Sequence, residues 1–159
     1  MSINVRVQNA DFCQAEEYLK LSNASNCGAV ITFTGLVREL VDGDLQTLHL
    51  EHYPGMTEQV LEQLAQQAQQ RFGGEQITII HRVGSLKLNE QIVFVGVAAG
   101  HRKAGFAACM FVMDYLKTQA PFWKREVTST DNYWVAAKES DRTAATRWAD
   151  DGTENRVAS

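Results

Sequence analysis

The sequence lacks a long apolar run, and its first residues, MSINVRVQNADF, alternate polar and apolar side chains. That pattern is typical neither of a signal peptide nor of a membrane anchor. Cysteine is also scarce: Cys13, Cys27 and Cys109 are widely spaced and form no CxxC pair. We therefore expect reduced thiols in a cytoplasmic protein rather than a disulfide framework.

Several ligand-binding patterns are missing as well. The chain has no P-loop and no GxGxxG pattern, and neither a Ser-His-Asp triad nor a pair of catalytic carboxylates can be assigned. Positive charge is in deficit, since 15 Lys and Arg face 19 Asp and Glu, for a net charge of −4. An acidic chain of this kind is not expected to be a general nucleic-acid binder.

The length of 159 residues and the hydrophobic fraction of 45% predict one globular domain with a core of its own. We place this domain at residues 1–148 and expect residues 149–159 to form a polar, disordered tail. No internal repeat or interdomain linker interrupts the chain.

Apolar periodicity predicts a mixture of helices and strands. Strands are predicted at Ile3–Gln8, Gly28–Thr34, Leu45–Tyr53, Gln76–Val83, Gln91–Ala98, Phe122–Thr128 and Tyr133–Val135. Helices are predicted from a cap at Asp11 to Leu21, from Thr57 to the glycines at 73–74, at Lys103–Gln119 and at Glu139–Trp148. Residues 35–44 are predicted to be a loop.

The segment His101–Glu126 is basic in an otherwise acidic chain. It holds five Lys or Arg against two acids, a local balance of +3, interspersed with aromatic and small residues. Such a concentration of positive charge favours a pocket for an anion.

Two lysines in this segment each allow two interpretations. Lys117 continues the helical stripe of Phe106, Met110 and Met113, so it either ends a buried apolar face or extends into solvent from the last turn. Lys124 shares a strand face with Phe122 and Glu126, whereas Trp123 and Arg125 face the other way. That strand is either a pocket wall or an edge strand with solubilising charges.

His101 and Arg102 follow a strand and open a helix, after Gly100. Free N–H groups at a helix N-terminus suit a phosphate or carboxylate, and an arginine adds a bidentate donor. Arg38, after the strand that ends at Thr34, joins the same site if the two strand ends are neighbours.

Other candidates are weaker. His49 and His52 point to opposite faces of a strand, so they are not expected to chelate a metal from one side. His81 lies in an apolar strand and is interpreted as a satisfied core residue. Cys109 lies within an apolar helix, where a buried thiol is usually inert.

Longer segments carry a resemblance to a known family. They are FTGLVR (33–38), LEHYPGM (50–56), HRVGSL (81–86), IVFVGVAAGHR (92–102), MDYLKTQAPFWKRE (113–126) and ESD (139–141). In this order, between about Gly28 and Trp148, they closely resemble the catalytic large subunit of molybdopterin synthase.

The resemblance implies an α+β fold, an α/β hammerhead core with an additional antiparallel β subdomain. It also implies a homodimer that becomes a heterotetramer with two small ubiquitin-like sulfur carriers ending in Gly-Gly. Carrier thiocarboxylates, with one sulfur each, supply two sulfurs to cyclic pyranopterin monophosphate, precursor Z, which becomes the dithiolene of molybdopterin. No metal, nucleotide or other cofactor is implied at this step.

The resemblance also implies residue roles. Lys117 and Lys124 are expected to be the catalytic pair. Substrate-binding positions are expected at Leu36, Val37, Arg38, His101, Arg102, Arg125 and Glu126, with Phe33, Phe122 and Trp123 as lining. Lys138 stands where some relatives have arginine; we expect it to reach the pocket of the other subunit, without bidentate phosphate binding. From the residues alone, a non-catalytic anion-binding module stays open as the alternative.

Overall fold

The computed structural model describes residues 2–135 and 139–154, and within them the chain forms eight strands and four helices. The strands are β1 (Ser2–Gln8), β2 (Ala29–Leu36), β3 (Leu45–His52), β4 (Gln76–Arg82), β5 (Gly84–Leu86), β6 (Gln91–Ala99), β7 (Phe122–Thr128) and β8 (Asn132–Val135). The helices are α1 (Gln14–Ser22), α2 (Met56–Phe72), α3 (Arg102–Gln119) and α4 (Glu139–Glu154).

The first sheet has the strand order β1-β4-β6-β2, with β1 parallel to β4 and the other pairs antiparallel. Helices α2 and α3 cover one face, where Leu61 and Phe111 pack with Ile79 and other strand residues. Helix α1 covers part of the other face, where Leu21 packs on Phe94 and its neighbours. Because both faces are covered, nearly all residues of β4 and β6 are buried, including the polar Thr78, His81 and Arg82 of β4.

The second sheet, in the order β5-β3-β7-β8, is entirely antiparallel. Its buried face forms a smaller core around Val37, Leu48, Leu50 and Leu86. The expected α+β class, with an additional antiparallel β subdomain, is therefore confirmed. Strand β7 follows α3 directly, so the two sheets meet where α3 ends.

Several predicted boundaries were wrong. Helix α1 begins at Gln14 with Cys13 as its N-cap, because the Asp11 carboxylate instead accepts hydrogen bonds from the Phe12 N–H and the Gln91 side chain. Strand β2 continues to Leu36, two residues into the predicted loop, since its pairing with β6 persists through a bulge. The three-residue strand β5 was missed, being too short for a periodic signal.

The C-terminal helix also differs from its prediction. Helix α4 runs to Glu154, six residues past the predicted end at Trp148 and into the segment assigned to the tail. Residues 155–159 lie outside the described part, and the domain boundary at residue 148 stays a prediction. Among the described residues, no helix is long and apolar enough to cross a membrane.

Candidate functional site

A cavity of about 470 Å³ lies where the two sheets meet. Its walls come from β2, β4, β6, the last turns of α3 and the start of β7. The lining comprises Phe33, Thr34, Gly35, Leu36, Arg38, His81, Ile92, Val93, Met113, Leu116, Lys117, Ala120, Phe122 and Lys124.

The chain reversal after α3 brings Lys117 and Lys124 to this cavity together. Lys117 lies in the last turn of α3, which ends at Ala120 in an extended conformation before Pro121. Strand β7 then starts at Phe122, and the period of two puts Phe122 and Lys124 on the same face. The buried Thr57 hydroxyl donates to the carbonyl oxygen of Pro121 at 3.2 Å, which ties this turn to α2.

Arg38 reaches the same cavity from the segment after β2. Three cationic side chains from three separate elements therefore meet there, and the described lining includes no carboxylate. A partly enclosed, cationic cavity with an aromatic and aliphatic wall suits an anion attached to a planar or apolar body. Lys124 is half-buried in the cavity lining, which agrees with the pocket-wall interpretation of its strand. Lys117 also lines the cavity, but its side chain is exposed and continues a stripe on which Phe106 and Met110 are exposed, so it does not end a buried apolar face.

His81 is a cavity residue that the sequence interpretation assigned to the core. It is only 3% exposed, and its ring stacks on Phe122 with centroids 3.8 Å apart. Its Nδ1 lies 2.9 Å from the carbonyl oxygen of Arg82. Burial, aided by the positive charges of Lys124 and Lys117, lowers the pKa of His81 to about 3. The sequence could show only that His81 lies in a strand beside Arg82. It could not show that His81 lines the cavity, because the residues that contact or act on it, Phe122, Lys117 and Lys124, are distant in the chain.

His101 and Arg102 lie elsewhere. They border a separate surface depression with Gly28, Gly100 and Lys103, at the N-terminal end of α3. From Arg102 to Lys117 the helix rises about 22 Å, at 1.5 Å per residue. Arg38 was expected to join His101 and Arg102 only if the ends of their two strands were neighbours. Within one chain this condition is not met, because antiparallel pairing puts the end of β2 beside the start of β6.

The remaining predicted binding residues divide into two groups. Leu36 lines the cavity, whereas Val37 does not: its side chain is buried in the second core and its backbone bonds Glu90 and Asn89.

Arg125 and Glu126 also lie outside the lining. The Arg125 guanidinium lies 5.5 Å from the centroid of the Trp134 ring, and Glu126 accepts a 2.6 Å hydrogen bond from the Tyr133 hydroxyl. Trp123 is exposed on the same face of β7 as Arg125, away from the cavity. Lys138 lies outside the described residues. The predicted roles of these residues stay predictions.

Two weaker candidates stay outside the site. Burial raises the pKa of the Cys109 thiol to about 11, which disfavours a reactive thiolate. His49 and His52 contact different carboxylates, those of Glu51 and Glu58, each at 3.3 Å. Their opposite orientation agrees with the strand pattern.

Comparison with known proteins identifies relatives across most of the chain. The family described as MoaE protein matches residues 7–119. The chain is 50% identical over 149 residues to the molybdopterin synthase catalytic subunit of Vibrio cholerae, covering 93% of this chain and 99% of that protein. It is 51% identical over 138 residues to the Escherichia coli protein of that name, covering 86% and 92%.

A solved structure gives the same result for the fold. The molybdopterin cofactor biosynthesis protein E from Burkholderia multivorans superimposes with a TM-score of 0.80 at 47% identity, covering 94% of this chain and 98% of that one. The similarity thus spans the first sheet, the second sheet and the cavity between them. On the match to the family and on these relatives, this chain belongs to the MoaE family.

Proposed function

We propose that this chain is the catalytic subunit of a molybdopterin synthase. In this role it transfers sulfur from the thiocarboxylated C-terminus of a small ubiquitin-like carrier to precursor Z in the cytoplasm. The observation that carries the proposal is the convergence of Lys117, Lys124 and Arg38 on one cavity. The names of the relatives supply the reaction, and the cavity supplies the chemistry that it needs.

Each transfer must form a carbon–sulfur bond to a carbon of the pterin side chain, while an oxygen substituent leaves that carbon as water or as the ester oxygen of the opening cyclic phosphate. Water then adds to the carrier's thioester carbonyl, its carbon–sulfur bond breaks, and the carrier leaves as a carboxylate. Lys117 and Lys124 either polarise the thiocarboxylate carbonyl or exchange a proton as sulfur attacks. Arg38 provides a planar donor for the substrate phosphate. The flexible Gly-Gly tail of the carrier would enter this cavity, which has Phe33 and Phe122 in its wall.

A second copy of the chain would bring His101 and Arg102 to the substrate. In one chain they lie too far from Lys117 to hold the same small molecule. The edge strand β2 and helix α3 expose apolar side chains, with Phe106 at 58% and Met110 at 47%. These two residues and Phe33 line an apolar groove that adjoins the cationic cavity. A homodimer through this face would cover the groove and form a heterotetramer with two carriers.

The test is single-turnover product formation. Purified protein is mixed with thiocarboxylated carrier and precursor Z, and dithiolene formation is followed for wild type, Lys117→Ala and Lys87→Ala. Lys87 is an exposed lysine outside the cavity lining, so it is the matched control. We expect wild type and Lys87→Ala to form product at similar rates and Lys117→Ala to lose at least about 100-fold.

Other results would contradict the proposal in distinct ways. Wild type that binds precursor Z but transfers no sulfur from a competent carrier would favour the non-catalytic anion-binding module. An active Lys117→Ala variant would remove Lys117 from the chemistry.

A further inference from the structure

The buried histidine of the cavity has a fixed protonation state. Nδ1 of His81 lies 2.9 Å from the Arg82 carbonyl oxygen, which can only accept a hydrogen bond. Nδ1 must therefore carry the proton. In the neutral ring, Nε2 is then left with a lone pair, so it is an acceptor and not a donor.

The ring's orientation is fixed as well. Its stack on Phe122 has an interplanar angle of 19°, and β4 is hydrogen-bonded on both sides, to β1 and β6. Rotation of the ring would break both the stack and the Arg82 hydrogen bond. His81 thus presents one acceptor in one direction within the cavity lining.

The charged groups that act on His81 are basic side chains. Lys117 approaches from α3, Lys124 from β7 and His52 from β3, and all three disfavour a positive charge on the imidazole. Arg38 faces the same cavity. An imidazole that stays neutral here avoids adding a further positive charge to the cluster, and it offers a lone pair to ammonium groups.

Lys124 comes from β7, the strand whose Phe122 stacks on the His81 ring. It leaves the same face of β7 as Phe122, two residues away. Lys124 also precedes Lys117 among the charges that act on His81. An ammonium has three donors, so a bond to His81 is compatible with its other contacts.

We propose that His81 is a positioning residue, a neutral imidazole whose Nε2 accepts a hydrogen bond from the Lys124 ammonium and thereby orients it in the cavity. The effect of this hydrogen bond on catalysis rests on the proposed sulfur transfer, but the bond itself can be tested without that reaction. His81 would thus influence the reaction through Lys124, without itself contacting the substrate.

The first experiment observes the unmodified protein. Two-dimensional NMR of ¹⁵N-histidine-labelled protein should show the His81 ring with Nδ1 protonated and Nε2 unprotonated, unchanged from pH 8 to pH 5. Lys124→Ala should shift the Nε2 resonance, whereas Lys87→Ala should not. A ring that titrates in this range, carries its proton on Nε2 or ignores Lys124→Ala would overturn the proposal, whether or not sulfur is transferred.

The second experiment uses activity, once wild type has been shown to form product. His81→Gln keeps an acceptor near the Nε2 position, His81→Asn keeps a donor for Arg82, and His81→Phe keeps only the stack. We expect kcat to fall about 10- to 100-fold in the Asn and Phe variants, with KM little changed and His81→Gln the most active of the three. In the pH profile of kcat, the alkaline limb should move to lower pH in His81→Asn, because this variant loses the hydrogen bond that favours the charged ammonium of Lys124.

The control is His49→Gln, which alters a histidine of the second sheet that bonds Ser85 outside the cavity lining. Far-ultraviolet circular dichroism identifies any variant that does not fold. Equal loss in the Gln, Asn and Phe variants, with an unmoved pH profile, would reduce His81 to a packing residue.

Discussion

The indole N–H of Trp148 donates a 2.7 Å hydrogen bond to the Asp114 carboxylate, one helical turn before Lys117. The Trp148 ring also packs edge-on against Phe72 and Phe111. Helix α4 is thereby fixed to the part of α3 that carries Lys117. The Asp114 carboxylate therefore has a hydrogen-bond donor from α4.

Trp148→Phe tests this connection. It keeps most of the ring packing and removes the donor, which leaves the Asp114 carboxylate without that bond in a half-buried position. We expect the free energy of unfolding to fall by about 1–3 kcal/mol, measured by urea denaturation. Trp123→Phe, at an exposed tryptophan, is the control and should change it by less than about 0.5 kcal/mol. Equal stability of the two variants would contradict the role of the Asp114 bond.

Lys124→Arg tests whether the second lysine acts only through its charge. An arginine keeps the positive charge but is bulkier, planar and not suited to exchange a proton. If Lys124 exchanges a proton or must fit closely in the cavity, single-turnover sulfur transfer should fall about 100-fold or more. Near-normal turnover would show that a cation at this position suffices.

His81 predicts a pH dependence of stability. Its pKa falls from 6.5 in the unfolded chain to about 3 in the fold, mainly through burial. Between those values the unfolded state binds more protons, so the stability present above about pH 6.5 is lost as the pH falls toward 3. The contribution of His81 has a limiting slope of about 1.4 kcal/mol per pH unit.

Urea denaturation between pH 7 and pH 4 measures this slope. His81→Gln, which does not titrate, should show a flatter dependence than wild type, and His49→Gln should resemble wild type. Parallel curves for wild type and His81→Gln would contradict the buried neutral histidine.

Phe106→Glu tests the proposed dimer face. A carboxylate on this exposed apolar surface of α3 opposes its burial against another copy. We expect sedimentation velocity to show a dimer for wild type and a monomer for Phe106→Glu. Val41→Glu places the same charge at an exposed loop residue outside the groove and should remain dimeric. A monomeric wild type would contradict the proposal that a second copy of the chain brings His101 and Arg102 to the substrate.

Mixing two inactive variants tests whether that second copy completes the site. A dimer of one Lys117→Ala chain and one Arg102→Ala chain has one site with both residues intact if Arg102 acts across the interface. Random reassociation should then restore about a quarter of the wild-type sites. No recovery, with subunit exchange verified by mass spectrometry, would place Arg102 in the same chain's site or outside the chemistry.

The sequence predicted most elements because their periodicity is strong, as in β4, β6 and α2. It also put Lys124 and Phe122 on one strand face, as observed. The interpretation of His81 as a satisfied core residue is confirmed by its burial and its hydrogen bond to Arg82. Its stack on Phe122 and the nearby charge of Lys124 could not be predicted, because they depend on which distant segments of the chain meet. Likewise, no local pattern shows that Arg38 meets Lys117 rather than Arg102, since this depends on which end of α3 lies beside the end of β2.

Because the turn between α3 and β7 is short, the number of residues between Lys117 and Lys124 determines whether both side chains face the cavity. One residue inserted into α3 after Lys117 would rotate Lys117 by about 100° about the helix axis relative to the turn. One residue inserted after Phe122 would instead reverse the face on which Lys124 lies. Insertions and deletions of a single residue between positions 117 and 124 should therefore abolish activity even where the fold tolerates them.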